Sequence, residues 1–181
     1  MHLQYTLDEN DFLDFQLYTA DTAPAAQRKR RMIQYAFAGM YVILGGLMLV
    51  VSKPGLAVFL FALGILWWMF YPKYERKRYQ NHFRLHIHEH YQDRIGRPSS
   101  MKFTDKGIVS QNSGGEGILP YTELEAIQET GRHIFLRLKS GVALIIPKHQ
   151  MENAAEITST LQQLAQEHHI PYTTQLNWTW K

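Results

Sequence analysis

Two runs of apolar residues dominate the chain. Residues 32–51 read MIQYAFAGMYVILGGLMLVV, with Gln34 the one strongly polar side chain, and residues 55–71 read GLAVFLFALGILWWMFY. At helical rise the first is about 30 Å long, the hydrocarbon thickness of a bilayer, and the second is about 26 Å. Only Ser52, Lys53 and Pro54 lie between them. Pro54 suits the first turn of a helix, so the pair is predicted to form a tight antiparallel transmembrane hairpin. Gly39, Gly45, Gly46 and Gly64 let the two helices approach closely. No Asp, Glu, Lys, Arg or His lies inside either run, which argues against an ion or proton path. Trp67, Trp68, Tyr71 and Tyr74 form an aromatic belt at the far end of the second run.

The flanking segments show shorter periods. Leu3, Tyr5 and Leu7 alternate with His2, Gln4 and Thr6, the pattern of a half-buried strand. Asp8 is placed to cap a short helix through Phe12, Leu13 and Leu17, which Thr22, Ala23 and Pro24 end. Residues 1–27 are therefore expected to supply a strand and a short helix that join the sheet farther along. After the second run, Tyr79, Phe83, Ile87 and Tyr91 recur every four residues and predict an amphipathic juxtamembrane helix over residues 79–97. His82, His86 and His90 run beside that stripe, with Glu89 near. Histidines four apart on a helix can chelate a metal, yet the polar flank of any amphipathic helix gives the same spacing. No metal and no cofactor are assigned, and the three histidines stand as bare candidates.

From residue 98 the period becomes two and turn signals recur. Strands are predicted at residues 100–104, 108–111, 118–121, 124–130, 133–138 and 142–146. Asp105, Lys106 and Gly107 form one turn, Lys139, Ser140 and Gly141 another, and residues 113–117 a glycine-rich loop. That loop has no Walker lysine and opens no helix, so it is not a phosphate cradle. Asn153 with Glu156 reads as a capping box before a helix whose Ala154, Ile157, Leu161, Leu164 and Ala165 face the sheet. His168, His169 and Pro171 end it, and Trp178 and Trp180 lie on one side of the tail, able to touch the sheet or the membrane interface. The class is thus α+β: a helical hairpin over residues 28–78 with basic flanks, then a small antiparallel domain over residues 98–181.

Charge changes the picture more than composition does. The formal charge is +3, but residues 1–27 hold five acids and no Lys or Arg, and residues 85–181 hold nine bases and ten acids. The excess lies in two blocks, Arg28, Lys29, Arg30 and Arg31, and Lys73, Arg76, Lys77 and Arg78, each beside an apolar run. Bases there meet anionic lipid headgroups, at about 1 kcal/mol each, so the membrane is the expected partner and nucleic acid is not. Of the nineteen Lys and Arg, only Lys53 lies in the turn. The positive-inside rule then places both termini in the cytoplasm. The chain contains no Cys, which excludes a disulfide framework and a thiolate metal site.

Several short patterns resemble the YcxB-like family of bacterial membrane proteins. They are Tyr5, Thr6, Leu7, Asp8, Glu9, Asn10, Asp11 and Phe12; the doubled apolar run; and Phe103, Thr104, Asp105, Lys106, Gly107 and Ile108. Leu119, Pro120 and Tyr121 with Leu124 and Ile127, then Ile145, Ile146, Pro147 and Lys148, complete them. His149 departs from the pattern, standing where another base is expected. The resemblance implies a pleckstrin-homology-like half barrel, a strongly bent antiparallel sheet capped by the C-terminal helix, and a bacterial inner membrane. It implies no activity.

Three functions remain open. A membrane-anchored binding module without catalytic activity would offer a sheet edge, a groove and loops to a protein or peptide partner or to a lipid headgroup, with Lys102, Lys106, Arg132, Arg137 and Lys139 as a basic rim. A regulatory or assembly subunit of a larger membrane complex would share the anchor and differ in its partner. An enzyme is disfavoured: there is no Cys nucleophile, no Gly-x-Ser-x-Gly elbow, and no partner for His133 or His149 as bases.

Overall fold

The computed structural model describes residues 1–112 and 115–180. The chain divides into two compact units, Met1–Phe15 with Arg84–Thr179, and Gln16–Phe83 with Trp180.

The first unit holds two four-stranded sheets. In one, β1 (His2–Thr6), β2 (Pro98–Thr104), β3 (Gly107–Asn112) and β4 (Gly115–Leu119) run antiparallel in chain order. Alternation sends Leu3 and Tyr5 inward, with Leu3 opposite Met101. In the other, the order is β7 (Ala143–Pro147), β6 (His133–Leu138), β5 (Leu124–Thr130) and β8 (Tyr172–Gln175). Residues 118–130 were expected to continue one sheet. Instead Pro120, which has no N–H to donate to a ladder, precedes a single 3-10 turn at Tyr121–Glu123 that carries the chain from one sheet to the other. The Tyr121 hydroxyl donates to the Thr104 carbonyl at 2.8 Å and anchors this corner. β8 pairs parallel to β5, so the sheet is not wholly antiparallel and the tail begins as a strand.

Helix α4 (Ala154–Glu167) buries Ile157, Leu161, Leu164 and Ala165 in a core shared with Met101, Ile108, Ile127, Ile134, Leu136 and Ile146. Each large apolar side chain removed from water there contributes roughly 1.5–3 kcal/mol. The predicted capping box at α4 is absent: Asn153 makes no side-chain cap hydrogen bond. Its φ of −117° and ψ of 51° lie outside the extended geometry in which a cap side chain reaches back to the first-turn amides. Of the predicted glycine-rich loop, Ser113 and Gly114 lie outside the described residues, while Gly115, Glu116 and Gly117 belong to β4.

Helix α1 (Glu9–Thr22) starts in the first unit and ends in the second. Helix α2 (Pro24–Val50) and helix α3 (Pro54–His90) carry the two apolar runs and are long and apolar enough to cross a membrane. Only 6% and 17% of their apolar windows are buried. Both exceed the apolar runs themselves, because the basic blocks and the amphipathic stretch continue the helical backbone without a break. The amphipathic helix ends at His90 rather than at residue 97, and Gly96, with φ +73°, takes the left-handed turn that follows. Within the second unit, Gly45 faces the Phe61 ring, where an added Cβ would come within 2.6 Å, and Gly64 faces Tyr41. Gly39 and Gly46 face open space. Pro72 sits inside α3 and withholds the N–H that Trp68 would otherwise accept. The Gln34 side chain donates to that Trp68 carbonyl at 3.5 Å, which accounts for a polar residue near the start of the first apolar run.

One buried carboxylate ties the second sheet to its surroundings. Glu129 on β5 accepts from Lys148 Nζ at 2.7 Å and from the Tyr172 hydroxyl at 3.0 Å, with Thr158 of α4 at 3.4 Å. Burial pushes its carboxyl up, but the hydrogen bonds from Lys148 and Tyr172 and the Lys148 charge outweigh burial and hold it below its ordinary value. A folded-state value below the unfolded one means that the unfolded chain binds the proton more readily. The stabilisation from Glu129 is therefore present above the unfolded value of about 4.3 and lost as pH falls through the folded one. Glu129→Gln is expected to destabilise the unit by about 2 kcal/mol near neutrality. The gap in Tm between wild type and variant should close as pH is lowered below about 4.3. Melts followed by circular dichroism check this, and a gap that stays constant to pH 3 would contradict it.

Candidate functional site

The first residues to weigh lie on one face of β6. His133, Phe135 and Arg137 share that face, yet His133 and Phe135 are buried. The start of α1 covers them: the rings of Phe15 and Phe135 lie 5.3 Å apart. α1 begins with a reciprocal cap, in which the Asp11 N–H donates to Asp8 Oδ1 at 2.8 Å and the Asp8 N–H donates to Asp11 Oδ2 at 2.9 Å. The cap fixes the Asp11 carboxylate, and its second oxygen, Oδ1, meets His133 Nε2 at 2.7 Å. Asp11 is fully buried and the His133 side chain is 2% exposed.

Other groups converge on this pair. The other ring nitrogen, His133 Nδ1, faces Asp14 Oδ2 at 3.8 Å, one helical turn past Asp11, and Arg132 reaches the same oxygen at 3.5 Å. His149 follows β7 on a single 3-10 turn, Lys148–Gln150. The Lys148 N–H donates to the Arg132 carbonyl at 2.8 Å, which seats His149 beside His133. The two imidazole rings stand edge to face, 6.0 Å apart. One donor atom each from Asp11, His133 and His149 falls within 4.8 Å of the others. Burial raises the Asp11 carboxyl, but the His133 and Asp8 hydrogen bonds and the histidine charges bring it below its ordinary value. Asp14 ends above its ordinary value: burial leads, and the Asp11 and Asp8 carboxylates add to it against His133 and Arg132.

A second site is an open groove of about 790 Å3 that runs from the β1 edge over the polar face of the first sheet, lined by Gln4, Thr6, Arg97, Ser100, Gln111 and Gln150. The carbonyls of Met1 and Leu7 bond toward Phe103 and Gly96, so the even residues His2, Gln4 and Thr6 turn their N–H and C=O outward. At Thr6 the Gln150 side chain takes both groups: its amide nitrogen donates to the Thr6 carbonyl at 2.6 Å, and its oxygen accepts from the Thr6 N–H at 2.9 Å. That is the pairing a neighbouring strand would make.

The basic blocks do not behave as one group. Arg28, Lys29, Arg31, Arg76, Lys77, Arg78 and Lys73 are exposed. Arg30 turns inward and pairs with Asp21 at 2.9 Å and Glu75 at 3.0 Å. Of the aromatic belt, Trp68 and Tyr74 are exposed, Trp67 packs between Phe37 and Tyr71, and the buried Tyr71 hydroxyl meets Glu75 at 3.1 Å. The Trp180 ring lies tilted against Tyr79 at 5.2 Å, with the Arg30 guanidinium 4.3 Å over its face. His86 is half-buried and His90 exposed, with ring centres 4.3 Å apart, and the exposed His82 lies by Phe83. Lys102 belongs to β2 and Lys106 to the turn between β2 and β3, and Arg132, Arg137 and Lys139 to β6 and its turns. Arg137 pairs with Glu125 at 2.9 Å.

Sequence reasoning placed His133 and His149 as isolated bases and missed Asp11. The one available signal was Asp8 followed three residues later by Asp11, an acid pair at cap spacing. No curated protein matches the chain, and no solved structure does. His133 and His149 fall inside the segment matched by a family model and Asp11 outside it: that model, YcxB-like protein, matches residues 103–161, from the end of β2 into α4, and over that stretch the chain carries the YcxB-like pattern.

Proposed function

We propose that the chain is a two-pass membrane protein with both termini cytoplasmic, presenting a pleckstrin-homology-like binding module, without catalytic activity, at the bacterial inner membrane. The observation that carries this reading is the exposure of α2 and α3: only 6% and 17% of their apolar windows are buried, and the rest would otherwise meet water in whole or in part. The exposed basic residues on either side suit a cytoplasmic headgroup layer. Four strands, then three, then a helix is the element order of a pleckstrin-homology domain, with α1, α2 and α3 inserted between its first two strands. Against catalysis, His133 has neither ring nitrogen open to a substrate, since one meets Asp11 and the other faces Asp14.

The binding surface of the module is the β1 edge with its groove, and the occupant is an extended peptide segment of a partner protein added as a strand. Gln150 already imitates such a strand at Thr6, leaving the Gln4 and His2 positions to the partner.

Two experiments test the reading. In intact cells, Lys53→Cys is expected to react with a membrane-impermeant maleimide and Ser110→Cys is not; the reverse pattern overturns the orientation. For the module, random peptides selected against the full chain in nanodiscs are expected to bind Gln4→Pro at least tenfold more weakly. That substitution deletes an outward N–H and no bond to β2, so the strand itself stays paired. Selected peptides that bind the variant equally would remove the β1 edge as the site.

A further inference from the structure

We propose that Asp11, His133 and His149 bind a borderline divalent cation, with Zn2+ the best match. The donor set is two imidazoles and one carboxylate, the mixture that Zn2+ and its neighbours in the first transition row prefer over Ca2+ or Mg2+. The three residues come from separate places, the first turn of α1, the start of β6 and the 3-10 turn after β7, and the fold brings one donor from each within 4.8 Å of the others. No pair of them lies at helical spacing, so regular helix geometry does not account for the cluster, as it does for His82, His86 and His90.

The surroundings fit a metal centre as well. A ligating histidine ordinarily gives its second ring N–H to a carboxylate, which fixes its orientation. His133 has Asp14 on that side. The Asp11 carboxylate is held by the Asp8 N–H through the oxygen that does not face His133. The separation of 2.7 Å between Asp11 Oδ1 and His133 Nε2 is that of a hydrogen bond, with one proton between the two atoms. Two donors on one tetrahedral Zn2+ sit about 3.3 Å apart, given bonds of about 2.0 Å. The ion takes the place of the proton and widens the gap by roughly half an ångström. His149 is exposed while the other two are buried. The cation therefore enters from the His149 side, and its fourth position is left to water. Bound there, it would fasten α1 to β6 and to the 3-10 turn that follows β7. This goes beyond the binding-module reading, since the cluster shares no residue with the β1 groove, and a failure of either leaves the other standing.

The test is metal retention by the full chain in mild detergent. After stripping with a chelator and reloading with Zn2+, one ion per chain is expected to survive dialysis. Co2+ in its place should give the visible ligand-field bands of a low-coordinate site. His149→Ala, an exposed position whose loss leaves the core intact, is expected to weaken Zn2+ at least tenfold with an unchanged circular dichroism spectrum. Asp14→Asn, a positioning residue, should weaken it roughly tenfold. His86→Ala with His90→Ala should change nothing. Retention of substantially less than one ion per chain, or binding by His149→Ala equal to wild type, overturns the site. Binding lost with His86 and His90 instead moves it to the helix row and overturns it equally.

Discussion

Asp11→Ala is expected to destabilise the first unit by about 3–5 kcal/mol, measured in the presence of a chelator so that no cation contributes. The carboxylate is fully buried and serves two groups at once, His133 Nε2 at 2.7 Å and the Asp8 N–H at 2.9 Å. Alanine removes both. It leaves a buried imidazole with no acceptor on that side, and a buried polar group stripped of its partner costs more than the intact hydrogen bond contributed. The N-cap bond from the Asp11 N–H to Asp8 survives in the variant, and only the return bond from the Asp8 N–H is lost. Asp11→Asn keeps an oxygen for the Asp8 N–H and the shape of the side chain, so it should recover about 1–2 kcal/mol of the loss. Amide hydrogen exchange reads the effect locally. Protection of the β6 amides should fall by roughly two to four decades, at about 1.4 kcal/mol per decade. A fall of less than one decade would mean that the Phe15 and Phe135 packing alone holds α1 in place.

The Asp11–His133 pair also marks where the sequence stops being readable. What could be read was local and periodic. The apolar runs announce their helices by length, Leu3, Tyr5 and Leu7 announce β1, and Lys139 to Gly141 announce the turn between β6 and β7. The α4 stripe came through because four of its five apolar positions are buried together. What could not be read depended on what covers a face. His133 and Phe135 alternate with Ile134 and Leu136, and a strand with one wet face would leave them in water. The cover comes from α1, and Asp11 is separated from His133 by 122 residues. No period or spacing encodes that meeting. The cap assignments failed by a related route. Asp8 caps α1 with an aspartate as its third-position partner, while Asn153 and Glu156 have the right spacing at α4 and no cap bond, because the backbone at Asn153 is turned away. β4 was hidden for another reason. Gly115, Glu116, Gly117 and Ile118 are exposed on an edge, so pairing with β3, not burial, makes them a strand, and an edge pairing leaves little trace in hydrophobic pattern.

Arg30 poses the same difficulty in the second unit, and its removal carries the other large effect. Four consecutive bases, Arg28 to Arg31, read as one lipid-facing block, yet the Arg30 side chain is only 12% exposed. Its guanidinium bridges two carboxylates from different helices, giving NH1 to Asp21 at the end of α1 and Nε to Glu75 in α3. The Glu75 side chain is 4% exposed and also accepts from Tyr71. The Trp180 ring lies against the cation at 4.3 Å, and a cavity of about 200 Å3 adjoins the cluster, lined in part by Gln27 and Gln34. Arg30→Ala leaves two inward-facing carboxylates with their shared cation gone. The expected cost is about 3–5 kcal/mol, the range for breaking a buried ion pair from one side. Arg30→Lys should recover only part of it, because one ammonium cannot present two separated donors in the fixed fork of a guanidinium. Arg28→Ala and Lys29→Ala, on exposed neighbours, should stay within about 0.5 kcal/mol of wild type. The pairing itself is isolated by Arg30→Met with Glu75→Leu. Replacing both members by apolar side chains should restore more stability than either change alone, since the largest penalty is the carboxylate left behind. Thermal denaturation of the full chain in one mild detergent ranks the series. If Arg30→Ala melts with Arg28→Ala and Lys29→Ala, the four bases form the uniform headgroup patch that the sequence suggested, and the inward cluster is not holding α1, α2 and α3 together.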